Sequence, residues 1–253
     1  MNNRNVKRLL HTVLPFMILN LIQRSLLLLF GTLELSFLSN NVISLIAFLA
    51  ACAVAVLAFR QKTYTVDEET EVLPLTKESV GFSLMHAVFS CASMVVVMYA
   101  VSLTTGASDE SVLDMSVLSL TSTLIIHPIV EEYVFRKMFY GELRLMNPIF
   151  GCIAQALMFA ILHATVDGMI YALISGVLLC LLYEHTGRLW VCIAAHIFIN
   201  LRSVLCLTVL RDMPNLIHGL DFALVIAGIL CFFGCAAITN RPKKMPAEDD
   251  LNE

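Results

Sequence analysis

The sequence predicts an all-α protein: a polytopic transmembrane helix bundle of about eight membrane helices, with an active site inside the bundle. Three observations predict it. The chain of 253 residues is 58% hydrophobic and only 14% charged, whereas a soluble domain is nearer a quarter charged. Apolar runs of roughly the 20 residues needed to cross a bilayer recur along its length. Within the later runs stand carboxylates, histidines and an amide at helical spacings, residues that are costly in hydrocarbon and that usually line a protected polar site.

Taken in order, the candidate spans are 9–30, 42–59, 80–103, 117–139, 149–163, 169–183, 189–210 and 216–238. The first carries Gln23 and Arg24 and is the least regular; it is too long and too polar for a signal peptide. The fifth and sixth are short, with only 165–168 between them, and read as a tight hairpin buried among the other helices. Residues 61–78 hold Asp67, Glu68, Glu69, Glu71 and Pro74 and read as a solvated loop. Residues 1–240 therefore form one transmembrane domain, its motif-bearing core about 112–210, and 241–253 a disordered cytosolic tail.

Loop charge orients the chain in a cell membrane. Arg4, Lys7 and Arg8 precede the first span, Arg60, Lys62 and Lys77 follow the second, and Lys137 and Arg144 follow the fourth. Arg188 precedes the seventh, and Arg241, Lys243 and Lys244 follow the eighth. The opposite loops carry Glu34, then Asp109, Glu110 and Asp114, then Asp167, with Arg211 the exception. Both termini are expected in the cytosol. No basic stripe marks a nucleic-acid partner. The eight cysteines all lie in apolar stretches without a Cys-x-x-Cys pair, as small buried hydrophobes do.

Three motifs carry chemistry: Glu131-Glu132-x-x-x-Arg136, Phe159-x-x-x-His163 and His196-x-x-x-Asn200. Positions four apart share a helix face, so Glu132 can pair with Arg136 and offset the cost of burying either charge. Glu131 points about 100° away. Spacing alone thus assigns Glu132 and Arg136 to structure and leaves Glu131 as the working base. A plain interfacial charge cluster is the competing reading. His127, one turn before Glu131, is expected to meet headgroups or a backbone carbonyl. Pro128 removes one helix hydrogen bond and is expected to free the carbonyl of Leu124 and to open a kink. Phe159 is packing or a wall of the site beside His163. The donors of His196 and Asn200 suit an oxyanion, their acceptors a metal, and such pairs also serve helix–helix hydrogen bonding. At ~1.5 Å per residue, His196 and Glu131 lie at similar depth, with His163 roughly 10 Å deeper unless its helix tilts or starts late.

The ordered set resembles the CPBP family, the CAAX-protease and bacteriocin-processing (Abi) intramembrane endopeptidases. The likeness runs over roughly 119–205, including Pro128-Ile129-Val130 before the first motif and Tyr183-Glu184-His185-Thr186-Gly187-Arg188-Leu189-Trp190 before the third. The resemblance implies hydrolysis of peptide bonds in a membrane-associated peptide or protein. It implies that Glu131 activates water with help from His163, that His196 and Asn200 stabilise the tetrahedral intermediate, and that Glu132 and Arg136 organise the site. It leaves open whether the centre works without a cofactor or holds a divalent metal such as zinc on Glu131, His163 and His196. The chain has no His-Glu-x-x-His. It departs from the pattern at Lys137 and in the Ala-Thr-Val-Asp that follows His163. A non-catalytic immunity or scaffolding protein of the same fold is the alternative, and a transporter would call for repeat symmetry that the chain does not show. Small size and short loops favour a bacterial source.

Overall fold

In the computed structural model, residues 3–32, 40–60, 76–105, 116–163, 165–210 and 212–239 are described. The tail at 241–253 and most of the acidic loop lie outside them. Among the described residues there are helices and no strands. We number the helices α1 (Asn3–Thr32), α2 (Asn40–Arg60), α3 (Lys77–Thr105), α4 (117–143), α5 (Pro148–Ile161), α6 (Val166–Thr186), α7 (Leu189–Leu207) and α8 (Pro214–Thr239). Six of them, α1, α2, α3, α6, α7 and α8, are long and apolar enough to cross a membrane. Their outward faces are largely apolar, with Leu21, Leu28, Leu103, Phe222 and Leu230 exposed; a lipid-facing surface has this composition.

The expected short buried hairpin needs correction. α6 runs 21 residues and is a full-length span. α5 is short at 14 residues, but Ile149, Ile153, Leu157 and Ile161 form an exposed stripe along it. The reason the sequence misleads is that α6 starts three residues before its apolar run, at Val166. Thr165 caps it there by accepting from the Gly168 N–H, which satisfies one of the orphan donors of a helix start. α5 begins in the same way, with Asn147 accepting from Phe150 N and Pro148 at the first helical position. α6 ends at Gly187, whose φ of 65° is left-handed, a conformation that other residues adopt at a cost.

α4 is one continuous rod of unequal winding. The stretches Ser122–Ile126 and Tyr133–Tyr140 are π-helical and flank the α-helical His127–Glu132. π turns are rare and concentrate at functional sites. The rod is held at its far end by polar ties. Tyr140 Oη donates to Glu184 Oε2 at 2.6 Å, and Arg144 reaches both oxygens of that carboxylate at 3.0 and 3.1 Å. Arg8 donates to the carbonyl of Leu145 at 2.9 Å. His11 meets the carbonyl of Phe59 at 2.8 Å, so the start of α1, the end of α2 and the end of α4 share one end of the bundle.

The core packs Phe135, Phe139, Phe159, Phe16 and Phe48 against one another between α1, α2, α4 and α5, with edge-to-face pairs such as Phe135–Phe159 at 5.0 Å. The turn between α4 and α5 has no room to spare: a Cβ at Gly151 would stand 2.8 Å from Arg144 N and 3.0 Å from Leu143 C. Gly151→Ala is therefore expected to lower stability by about 1–3 kcal/mol through overpacking. Gly81, where a Cβ meets nothing within 4 Å, supplies the control, and thermal unfolding of both alanine variants in detergent reads the difference.

Candidate active site

The site is built where α4 crosses α7. Glu132 is fully buried and spends its two oxygens on different helices. Its Oε2 stands 3.1 Å from Arg136 Nε one turn along α4, and its Oε1 is 2.8 Å from His196 Nδ1 on α7. Accepting at that distance places the proton of His196 on Nδ1 and turns Nε2 outward, so a carboxylate fixes ring and tautomer together. His196 Nε2 is 3.7 Å from Glu131 Oε2. The spacing argument thus holds for Glu132 and Arg136, and His196 stands between the two carboxylates.

Arg136 is also fully buried, and among the described residues its two terminal nitrogens have no hydrogen-bond partner. Its guanidinium carbon lies 5.0 Å above the ring centre of Phe159, a cation–π contact that offsets part of the desolvation. Phe159 also meets His163 edge-on at 5.1 Å and His196 at 6.1 Å. One aromatic ring of α5 therefore spaces the cation from two imidazoles. His163 Nδ1 lies 3.1 Å from the carbonyl of Phe159, and it makes no hydrogen bond or ion pair to Glu131 among the described residues. The depth mismatch does not remove it from the site, since His163 and His196 line one cavity.

Asn200 makes the interhelical hydrogen bond that its residue type allows, and it also lines one cavity with His196. Its Nδ2 donates to the carbonyl of Thr123 on α4 at 2.9 Å. The winding of α4 explains that partner. In the π-helical stretch the N–H of His127 bonds the carbonyl of Ser122, five residues back. The next bond in that register would run from residue 128 to Thr123, and Pro128 has no N–H to give. The carbonyl freed by Pro128 is thus that of Thr123, not Leu124, and α7 supplies the missing donor. His127 also differs from expectation. Its ring packs on Phe48 at 4.5 Å, and its Nε2 is buried without a hydrogen-bond partner among the described residues.

His196, Asn200, His163 and Phe159 open on a cavity of about 530 Å³. α7 presents a stripe to it: His196, Ile199, Asn200, Ser203 and Cys206, spaced by the three and four residues that define one helix face. Extending the His196-Asn200 spacing along α7 reaches Ser203 in the sequence alone. Tyr99 of α3, Ile217 of α8, and Asp167 and Tyr171 of α6 complete the wall; the sequence gives no periodic signal for these.

The donors do not assemble into a metal site as they stand. Among the described residues no group of three or more His, Cys, Asp or Glu side chains is placed to hold an ion. His196 has its Nδ1 at Glu132 and His163 its Nδ1 at a backbone carbonyl, which leaves the Nε2 of each ring to the cavity side.

Residues 113–202 match the family model described as type II CAAX prenyl endopeptidase Rce1-like. Over 173 residues the chain is 30% identical to a Bacillus subtilis (strain 168) protein named "Putative membrane peptidase YdiL", which covers 62% of this chain and 68% of that one. The chain belongs to the Rce1-like family. No solved structure matches it. The stretch shared with the family contains Glu131, Glu132, Arg136, Phe159, His163, His196 and Asn200, and the α4–α7 crossing is thus within the Rce1-like part of the molecule.

The burial pattern separates the two glutamates by stability. Removing one partner of a buried ion pair costs about 3–5 kcal/mol. Glu132→Ala and Arg136→Ala are each expected to lose that much in unfolding titrations in mixed micelles, whereas Glu131→Ala, whose ion pair is the longer 3.7 Å contact with His196, is expected to lose less. Equal losses at Glu131 and Glu132 would contradict the division.

Proposed function

We propose that the protein is an intramembrane endopeptidase that hydrolyses peptide bonds of membrane-associated peptides or proteins. The observation that carries this reading is the pair of adjacent carboxylates with opposite surroundings, one locked between Arg136 and His196, the other beside the outward nitrogen of His196. Glu131 takes a proton from water as the oxygen attacks the scissile carbonyl, and returns that proton to the leaving amine as the C–N bond breaks. Proton transfer by a positioned side chain is worth about 10²–10⁴ in rate. Protonated at both nitrogens, His196 donates from Nε2 to the developing oxyanion while Glu132 holds its Nδ1–H. The second amide N–H of Asn200 is the other donor, with the first anchored on Thr123. His163 closes the site over Phe159 and helps to hold the water. No step is routed through a metal, because the side chains do not converge on one.

The ties between Arg8, Leu145, His11 and Phe59 put the basic flanks of α1, α2 and α4 at one end of the bundle. That supports an orientation with this end, and both termini, in the cytosol. The substrate reaches the cavity from the bilayer.

Purified protein in detergent, given a library of membrane peptides, is expected to release product. Glu131→Gln is expected to lower kcat by about 10²–10⁴ with unchanged melting, and Asn200→Ala to lower kcat by about 10²–10³ and melting as well, because the Thr123 carbonyl loses its donor. Activity is expected to persist in chelator. Equal product from wild type and Glu131→Gln, or none from folded wild type, would overturn the reading in favour of an immunity or scaffolding protein.

A further inference from the structure

The segment after His163 departs from the family pattern in the sequence, and its acid lines the cavity. Asp167 lies in the first turn of α6, and it walls the cavity with His163, Gly168 and Tyr171. The start of α6 lies beside His163: a Cβ on Gly168 would meet His163 Cβ at 3.5 Å and its Cδ2 at 3.9 Å, ordinary contact distances. An acid in a first turn complements the helix dipole. That does not require it to face a cavity, and Thr165 already caps the helix.

The charge on the cavity wall is unbalanced. Apart from its imidazoles, the described wall carries two charged side chains, Asp167 and Arg202. Arg202 is spent: its Nε donates to Asp221 Oδ1 at 2.8 Å, its Nη2 to Oδ2 of the same carboxylate, and its Nη1 faces the sulfur of Met98. Tyr99 adds a hydrogen bond to Asp221 Oδ2 at 2.9 Å. That end is a neutral, bidentate pair. Asp167 forms no ion pair among the described residues, whereas Glu131 has His196 beside it at 3.7 Å, so Asp167 is the unbalanced charge of the wall. The occupant of this cavity therefore meets net negative charge in surroundings where Coulomb attraction is stronger than in water.

We propose that Asp167 is a specificity-determining residue that selects substrates with a lysine or arginine near the bond to be cut. The inference rests on the peptidase reading and names the class of peptide that the cavity takes. The cation of the substrate would sit beside Asp167 and His163, with the scissile carbonyl at His196. A neutral or acidic residue at that place lacks the attraction or is repelled.

The test uses full-length protein in nanodiscs carrying Glu131→Gln, so that binding is read without turnover. The probes are fluorescent 20-residue apolar peptides that differ at one position near an end, holding lysine, norleucine or glutamate. Binding of the lysine peptide is expected to be about tenfold tighter than that of the norleucine peptide. Asp167→Asn is expected to reduce that ratio to within about twofold, and Asp167→Lys to make the glutamate peptide the preferred one. Equal affinities for the three peptides, or a lysine preference unchanged by Asp167→Asn, would overturn the proposal. The same peptides are offered to protein with Glu131 intact. Selective binding without cleavage would overturn the peptidase reading and leave the cation preference standing. Cleavage without charge selectivity would do the reverse.

Discussion

A single buried carboxylate holds the functional half of this molecule together. Glu132 is fully excluded from solvent and joins Arg136 on its own helix to His196 on α7. Its two partners divide the labour of neutralising one charge and orienting one ring. If Glu132 moved, Arg136 would become an unpaired cation in the core, and His196 would lose the contact that fixes its tautomer. Glu131, 3.7 Å from the outward nitrogen of that ring, takes its position relative to the cavity from the same arrangement.

The surrounding helices make this arrangement tolerable in an apolar interior. Phe159 covers Arg136 on one side and separates it from His163. Pro128 and the π-helical turn before it expose the carbonyl of Thr123, and Asn200 answers it across the helix pair. The α4–α7 crossing is thus sewn at two levels, by Glu132 with His196 and by Thr123 with Asn200, with Glu131 between them in sequence. The lower ties at Glu184, Tyr140 and Arg144 anchor α4 to α6. A rod fixed at both ends presents Glu131 without help from a flexible loop, in keeping with sites placed on rigid elements.

Much of this was legible in the sequence, and the failures have physical causes. The four-residue spacing of Glu132 and Arg136 reads directly as a pair because helix periodicity is rigid. The ordered motifs place the site in the later helices, where the family likeness lies. What spacing misses is contact between helices. That His196 bridges both glutamates depends on how α7 crosses α4. That Asn200 bonds Thr123 depends on a π turn, which shifts the freed carbonyl by one residue from the α-helical expectation. The apolar run understates the length of α6 because its cap lies outside that run. The sequence places Asp167 in a loop for the same reason, since a residue in a first turn looks like a loop until the helix start is known.

The most direct test is a double-mutant cycle between Glu132 and His196. Unfolding free energies would be measured in mixed micelles for Glu132→Gln, His196→Gln and the double variant. A shared, charge-assisted hydrogen bond predicts a coupling of about 1.5–3 kcal/mol between the two sites. Losses that add to within ~0.5 kcal/mol would mean that the two side chains act independently. Glu132 would then not be the link that positions the α7 imidazole beside Glu131.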